Sequence, residues 1–400
     1  MKRHRALGFA LFAAVCGAAS AASAQTACPA DSIVIRGSSA SEPIINRVAV
    51  LAKAQGINIV YNSSGGSCAG VNSLIPATGT GGTTVKTPSG RTKYDAANQT
   101  ATCDLATPRE ADIGVSDVYS TSCSTLGGPA TPDTVLDYLG PVQVFTLAVY
   151  NDPSFPVVIS AEAGFNIFGV TARAGNASFN VDPWSVAADV LARNEGSGTQ
   201  QIWARALGLP VNKFGGADQG GSGQLLAKIN SSPRSSVIGI IALNDIVPTG
   251  TPPVQPNVRP LAFKAKGQDF GYYPSSTSTA VDLINVRDGH YAPWANLHFF
   301  TKKQDGKAAD PNVRKILELL ETKETVSTIS KGRAVPACAM QVSRSTDMGD
   351  YAEYKPAKAC GCFFEQEAGA PASASCKACS DDSGCSGSNQ QCVFGYCEAK

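Results

Sequence analysis

Three stretches of this chain share one design, and together they constrain its fold more than any other feature. They are Ile33-Val34-Ile35-Arg36-Gly37-Ser38-Ser39-Ala40-Ser41-Glu42-Pro43, Ile59-Val60-Tyr61-Asn62-Ser63-Ser64-Gly65-Gly66 and Val190-Leu191-Ala192-Arg193-Asn194-Glu195-Gly196-Ser197-Gly198-Thr199. Each runs from an apolar strand, through a turn of glycine and hydroxyl residues, into a helical pattern. Each therefore aims a helix N-terminus at the carboxyl end of a sheet. The first backbone N–H groups of a helix have no internal partner, and the helix dipole makes that spot attractive to an anion. Glycine lets the backbone approach closely, while serine and threonine add hydroxyl donors. A single turn of this kind is an ordinary helix cap. Three in one chain predict a shared anion site.

Short β-rich runs alternate with helical patterns through most of the chain, as in residues 32–36 before 44–54, and 57–61 before 69–74. This alternation predicts α/β lobes whose sheets are covered by helices. Residues 78–99 are rich in Thr, Gly and Lys without a hydrophobic period and read as an exposed insertion loop. Apolar strands return at 142–150, 237–243 and 258–265, and a helix is predicted over 313–321 from Ile316, Leu317, Leu319 and Leu320. The two segments flanking Pro252–Pro256 are expected to carry the chain between lobes, and two crossings of that kind would make a hinged pair. The first lobe is then 25–141 with 258–345, and the second is 142–257.

Lys2, Arg3 and Arg5 precede an apolar run over residues 6–19 and then Ala22-Ser23-Ala24, the layout of a cleavable export signal ending at residue 24. Twelve of the 13 cysteines follow it, an even number in an oxidising setting, so disulfides are expected rather than a metal site. Seven of them fall after residue 354, where the composition turns to Ala, Ser, Gly and Cys. A segment so short and polar must be stapled, and it reads as a small module, residues 355–400, on a linker. Lysines and arginines number 33 against 32 acidic residues, which excludes the basic footprint of a nucleic-acid binder and leaves any anion to a local site. Catalysis is not expected. His290 and His298 are the histidines outside the signal and read as packed structural residues, no Gly-x-Ser-x-Gly turn is present, and no His/Asp/Glu cluster has metal spacing.

Arg193 adds a fixed charge ahead of the third turn, able to donate two parallel hydrogen bonds to a tetrahedral oxyanion, or alternatively to bridge to Glu195. Asp117 follows the short strand pattern Asp112-Ile113-Gly114-Val115-Ser116. Taken in chain order, residues 37–43, Ser63-Ser64-Gly65-Gly66, 112–117, 193–199 and Asp288-Gly289-His290-Tyr291-Ala292-Pro293 resemble the periplasmic phosphate-binding proteins of ABC-type importers, over residues 32–332. The resemblance implies a two-lobed periplasmic-binding-protein fold of type II with two hinge crossings. It also implies ligand contacts from Ser41, the backbone of Glu42, Ser63, Arg193, Ser197, Gly198 and Thr199, with Asp117 as the carboxylate of the site and no cofactor. Its implied partners are inorganic phosphate and a membrane permease with its ATPase, in the periplasm, for a monomeric protein.

A carboxylate in such a site has its own physical rationale. Monohydrogen phosphate can give Asp117 a proton, whereas sulfate would press lone pairs on a buried charge, at a cost of about 1–3 kcal/mol. Glu42 departs from the family, which has an apolar residue there. So do the 72–110 insertion and the Cys-rich tail, and the tail leaves a second expectation open: a secreted or surface-attached anion-binding protein for which the tail is a docking module.

Overall fold

The structure is a computed structural model and describes residues 26–77, 82–94, 102–123, 128, 130–174, 181–247, 256–370, 376–387 and 389–400. The export signal, parts of the insertion and the segment before Pro256 lie outside the described residues. The order of elements begins β1 (Ile33–Gly37), α1 (Glu42–Ala54), β2 (Ile59–Asn62), α2 (Gly66–Leu74), β3 (Gly90–Tyr94), β4 (Thr102–Leu105), β5 (Ile113–Ser116) and β6 (Val135–Tyr150). It continues with β7 (Val158–Ser160), α3 (Ala161–Phe165), α4 (Ala172–Ala174), β8 (Val190–Ala192), α5 (Gly198–Ala206), β9 (Ala217–Asp218), α6 (Ser222–Asn230) and β10 (Ile238–Ala242). After these come β11 (Val258–Pro260), β12 (Ala262–Lys264), α7 (Ile284–Arg287), β13 (Trp294–Gln304), β14 (Lys307–Ala308), α8 (Pro311–Leu319), α9 (Lys323–Lys331) and α10 (Gly361–Ala368).

Local chemistry explains the elements that matter. Pro43 lies in the first turn of α1, where its missing N–H is harmless, and Ile44, Ile45, Val48, Ala49 and Ala52 form one buried face. Two parallel wings result. In one, β1 pairs in parallel with β2 and β5; in the other, β8 pairs in parallel with β10 and β9. Between them β6 and β13 run antiparallel to one another, with a register shift between Asn296 and His298. Strand β13 also pairs with β5, and β6 with β10, so these two strands are the crossings between lobes. Each wing has its own core: Ile35, Ile45, Leu297 and Phe299 in the first, and Phe145, Phe168, Trp203 and Ile240 in the second.

Three expectations need correction. The insertion is not simply a loop, because β3 and β4 form a hairpin that extends the first wing from the edge of β2. The Cys28–Cys103 disulfide and the Thr92 hydroxyl, donating to the Tyr61 carbonyl at 2.6 Å, anchor it. Residues 258–264 do not return to the first lobe, since β11 pairs with β6 and β12 with β7. The backbone comes back only at β13. Lastly, the tail does not hang on a linker. Helix α10 packs against α9, Phe364 is fully buried, the Arg287 guanidinium pairs with Glu365 at 2.9 Å, and Cys338–Cys360 bolts the tail to the lobe. Burying a phenylalanine contributes about 2 kcal/mol, enough to hold a short stapled segment in place. All twelve cysteines after the signal are paired, the remaining bridges being Cys68–Cys123, Cys362–Cys376, Cys379–Cys392 and Cys385–Cys397.

Candidate functional site

The turns singled out in the sequence follow the carboxyl ends of β1, β2 and β8, and the helices after them converge. Helix α1 starts at Ser41, α2 at Gly65 and α5 at Ser197, and in none of the three does the side chain cap the helix. The ends of α2 and α5 nearly touch: the Cys68 N–H donates to the Gly196 carbonyl at 3.0 Å, and the Gly198 N–H to the Ser67 hydroxyl at 3.2 Å. No other residue fits at Gly198, where a Cβ would stand 2.6 Å from Asp117 Oδ2 and 2.5 Å from Ser67 Oγ. Gly66 combines a φ of 69° with a would-be Cβ 2.9 Å from the Gly196 carbonyl, so both backbone freedom and space require glycine.

Asp117 lies at the centre of this convergence, 1% exposed. Its Oδ2 accepts from the Ser38 hydroxyl at 2.5 Å and from the Ser67 hydroxyl at 2.9 Å, while its buried Oδ1 has no partner. Burial pushes its pKa up to about 6, against the pull of Ser38, Ser67, Arg193 and His298. Arg193 is also buried. Its Nη1 donates to Ser222 Oγ and its Nη2 to Ser39 Oγ and to the Gly220 carbonyl, each at 3.1 Å, and its Nε has no partner. Burial lowers the Arg193 pKa, with Asp245, Asp117, Asp218 and Glu42 opposing. The Thr199 hydroxyl, at the start of α5, is a third buried polar atom without a partner.

Asp117, Arg193, Ser197, Gly198 and Thr199 are thus brought together. The first two loops behave differently from expectation. The Ser41 hydroxyl turns inward, donating to the Ser38 carbonyl at 2.8 Å and meeting Tyr61 OH at 2.9 Å. The Glu42 N–H closes a tight turn onto the Ser39 carbonyl. Ser63 donates to Glu42 Oε1 at 2.6 Å, which holds that half-buried carboxylate beside the site. Arg193 hydrogen-bonds hydroxyls and a carbonyl, and Glu195 lies exposed. Arg193 Nη2 makes two of these bonds and Nη1 one, and the buried Nε makes none.

Several residues of the cluster escaped the sequence. Ser38 and Ser39 sit in the first turn, three and two positions before Ser41, and Ser67 sits one residue beyond the second. Ser222 opens α6 after Gly220-Gly221, a fourth glycine-hydroxyl turn that follows the very short β9. Asp245 comes from the tight turn after β10 and carries no local signal. His298 is fully buried with Nδ1 2.9 Å from Asp137; His290 is exposed beside Asp288, its ring 5.0 Å from that of Tyr272. A cavity of about 590 Å3 lies apart from this chemistry, where the tail meets Leu139, Leu320 and Val326.

No protein-family model matches the chain, and no curated protein matches it. Solved structures do. One, from Clostridium perfringens, is described as a phosphate ABC transporter substrate-binding protein with bound phosphate; it superposes with a TM-score of 0.50 at 13% identity, over 76% of this chain and 99% of its own. The chain has the fold of a substrate-binding protein. A phosphate transport receptor from Vibrio cholerae gives a TM-score of 0.44 at 14% identity, covering 76% of this chain and 99% of that one. A possible phosphate binding protein from Planctomyces limnophilus gives 0.45 at 11%, covering 78% and 94%. In the substrate-binding-protein fold, two α/β lobes joined by paired crossing strands face one another across a cleft. The converging helix starts of α1, α2 and α5 occupy that position here, outside the carboxyl ends of parallel strands. The six disulfides suit an extracytoplasmic location.

Proposed function

We propose that this chain is an extracytoplasmic solute-binding protein that captures inorganic phosphate between its lobes. One observation carries the reading: Asp117 Oδ1, Arg193 Nε and Thr199 Oγ1 are all buried, all without a partner, and all belong to one cluster where uncapped helix starts meet. Buried polar atoms in folded proteins nearly always have partners, and exceptions call for an explanation such as a ligand. Two donors and one carboxylate oxygen suit an oxyanion that still carries a proton. Arg193 and Thr199 donate to its oxygens, with the start of α5 supplying dipole and N–H groups and that of α1 its dipole, and the hydroxyl of the anion donates to Asp117. Ser197 and Gly198 shape the third loop. Ser63 acts indirectly, by holding Glu42. The first loop contributes through Ser38 and Ser39, and Ser41 supports them from behind.

Sulfate lacks the proton at neutral pH and leaves Asp117 facing lone pairs, which predicts tenfold to a hundredfold discrimination, about 1–3 kcal/mol. The match to a structure described with bound phosphate supports the same ligand, and an import role with a permease and ATPase, in the periplasm and as a monomer, is part of the proposal. The lobes under this reading are joined at β6 and β13, with the insertion hairpin on the first and the tail docked beside it. A surface-attachment role draws no support from a tail whose aromatic residues are turned into the fold. Calorimetric titration of the protein without its signal against phosphate, arsenate, sulfate and molybdate tests the ligand. Binding of phosphate near micromolar affinity with weak sulfate binding is expected, and no heat with any of the four would end the proposal.

A further inference from the structure

Asp245 stands in the wall of the same site, unused by the reading above. It is half-buried as a residue, but its Oδ2 is shut off from solvent and has no partner. Four elements bring groups to face it: Arg193 from the turn before α5, Ser222 from the start of α6, Glu42 from α1 and Asp117 after β5. Asp218, at the end of β9, adds to the field on Arg193. One guanidinium therefore serves three carboxyl groups in the wall, Asp117, Asp245 and Glu42, while Asp218 acts on it from an exposed position. A dianion entering with these three ionised would meet a strongly negative wall, and among buried groups that repulsion is poorly screened. The arrangement is workable when a carboxyl in the wall keeps its proton and donates it to the ligand.

We propose that Asp245 is a second proton-bearing carboxyl of the anion site, so that the complex holds one proton more than monohydrogen phosphate and Asp117 account for, and phosphate is released as the medium becomes alkaline. The proposal rests on phosphate being the ligand. Burial pushes Asp245 up to about 8; Ser222 and Arg193 pull it down, and Glu42 and Asp117 push it further up. Its proton is thus in place at neutral pH. Above about pH 8 it must be taken from solvent at each binding event, and affinity falls by up to about tenfold per pH unit, one proton per decade. Phosphate's own second ionisation is complete by then and adds little.

The test is calorimetry of the disulfide-bonded protein and of Asp245→Asn with inorganic phosphate, from about pH 6.5 to about pH 9.5. At about pH 9 it is repeated in two buffers of different ionisation enthalpy, which reads proton uptake directly. The wild-type protein should take up about one proton per phosphate at about pH 9 and lose affinity steeply above about pH 8. Asn keeps the shape and a donor but cannot titrate, so the variant should bind with little uptake and a flatter profile; the shared ionisation of phosphate cancels between the two. Identical profiles and identical uptake in both proteins overturn the role of Asp245 while leaving phosphate as ligand. Absence of phosphate binding by the folded wild-type protein at every pH overturns both.

Discussion

The helices of this protein begin in two ways. On the outer surface of the first lobe, α8 starts at Asp310, whose carboxylate accepts from the N–H groups of Asn312 and Val313, and α9 at Thr322, whose hydroxyl accepts from Thr325. In the second lobe, α3 is capped by Ser160 in the same manner. At the cleft, α1, α2, α5 and α6 begin at Ser41, Gly65, Ser197 and Gly221 without any such bond. The vocabulary of Ser, Thr, Asp and Gly is common to both groups. What differs is where the oxygen goes: on the outside it satisfies its own helix, whereas in the cleft the Ser41 hydroxyl turns to the Ser38 carbonyl and Tyr61, Ser197 does not cap α5, and Gly65 and Gly221 have no side chain. An uncapped start keeps its dipole, and those N–H groups that no other loop takes, directed at whatever lies beyond it.

The largest effect should come from removing the charge these helix starts share. Arg193→Ala deletes the Nε donor, the bond to Ser39 that ties the two lobes, and the bonds to Ser222 and Gly220 within the second. Phosphate affinity should drop at least a hundredfold, about 3 kcal/mol, by calorimetry. A drop below threefold would mean the cleft helices bind nothing through this residue. Next in size is Asp117→Asn. It exchanges an acceptor-only group for one that also donates, so sulfate should gain on phosphate by tenfold or more, with the ratio of the two affinities as the readout. An unchanged ratio would remove Asp117 as the discriminating group.

Much of this was legible because strand, turn and helix are local. Apolar residues at 33–35, 59–61 and 190–192 followed by glycine and hydroxyls gave each turn its place, and Asp117 and Arg193 stood directly next to strand ends. The parts that were hidden depend on packing between distant segments. Nothing near Asp245 in the chain tells that Arg193 and Ser222 will face it, because they come from other strands of the second wing. Nothing near Ser41 distinguishes a hydroxyl aimed at a ligand from one drawn to Tyr61 behind it. The tail looked independent because its own composition cannot make a core. It borrows one, setting Phe363 and Phe364 against a lobe whose apolar surface is recorded nowhere in the tail itself.

The contrast between capped and uncapped starts makes a paired test. Thr322→Ala or Asp310→Ala removes a cap bond and should cost about 1 kcal/mol of stability in denaturant unfolding, with phosphate affinity unchanged. Ser197→Ala removes a hydroxyl that caps nothing, so stability should stay within about 0.5 kcal/mol while phosphate affinity falls several-fold. The reverse pattern, a stability loss at Ser197 and none at Thr322, would erase the distinction between the two groups of helices.

The smallest effect expected is on the pH dependence of stability, and it too separates the cleft from the outside. Asp117 and Asp245 are raised to about 6 and about 8, burial leading in both cases. The folded state therefore keeps protons that the unfolded chain gives up near pH 4. For an acid shifted upward, the stabilising contribution is complete below its unfolded pKa and is lost as pH rises through the folded one. Ligand-free protein should accordingly melt at a lower temperature at about pH 9 than at about pH 5, with the decline in two stages. Asp245→Asn should remove the later stage, between about pH 6 and 8, and raise Tm at about pH 9 above the wild-type value. Asp117→Asn should remove the earlier one. Thr322→Ala, on the outside, should lower Tm by the same few degrees at every pH, because the bond it breaks involves no titrating group. Convergence of the wild-type and Asp245→Asn melting curves at all pH values would place that carboxyl in ordinary solvent contact, and with it the field that the four carboxyl groups exert on Arg193.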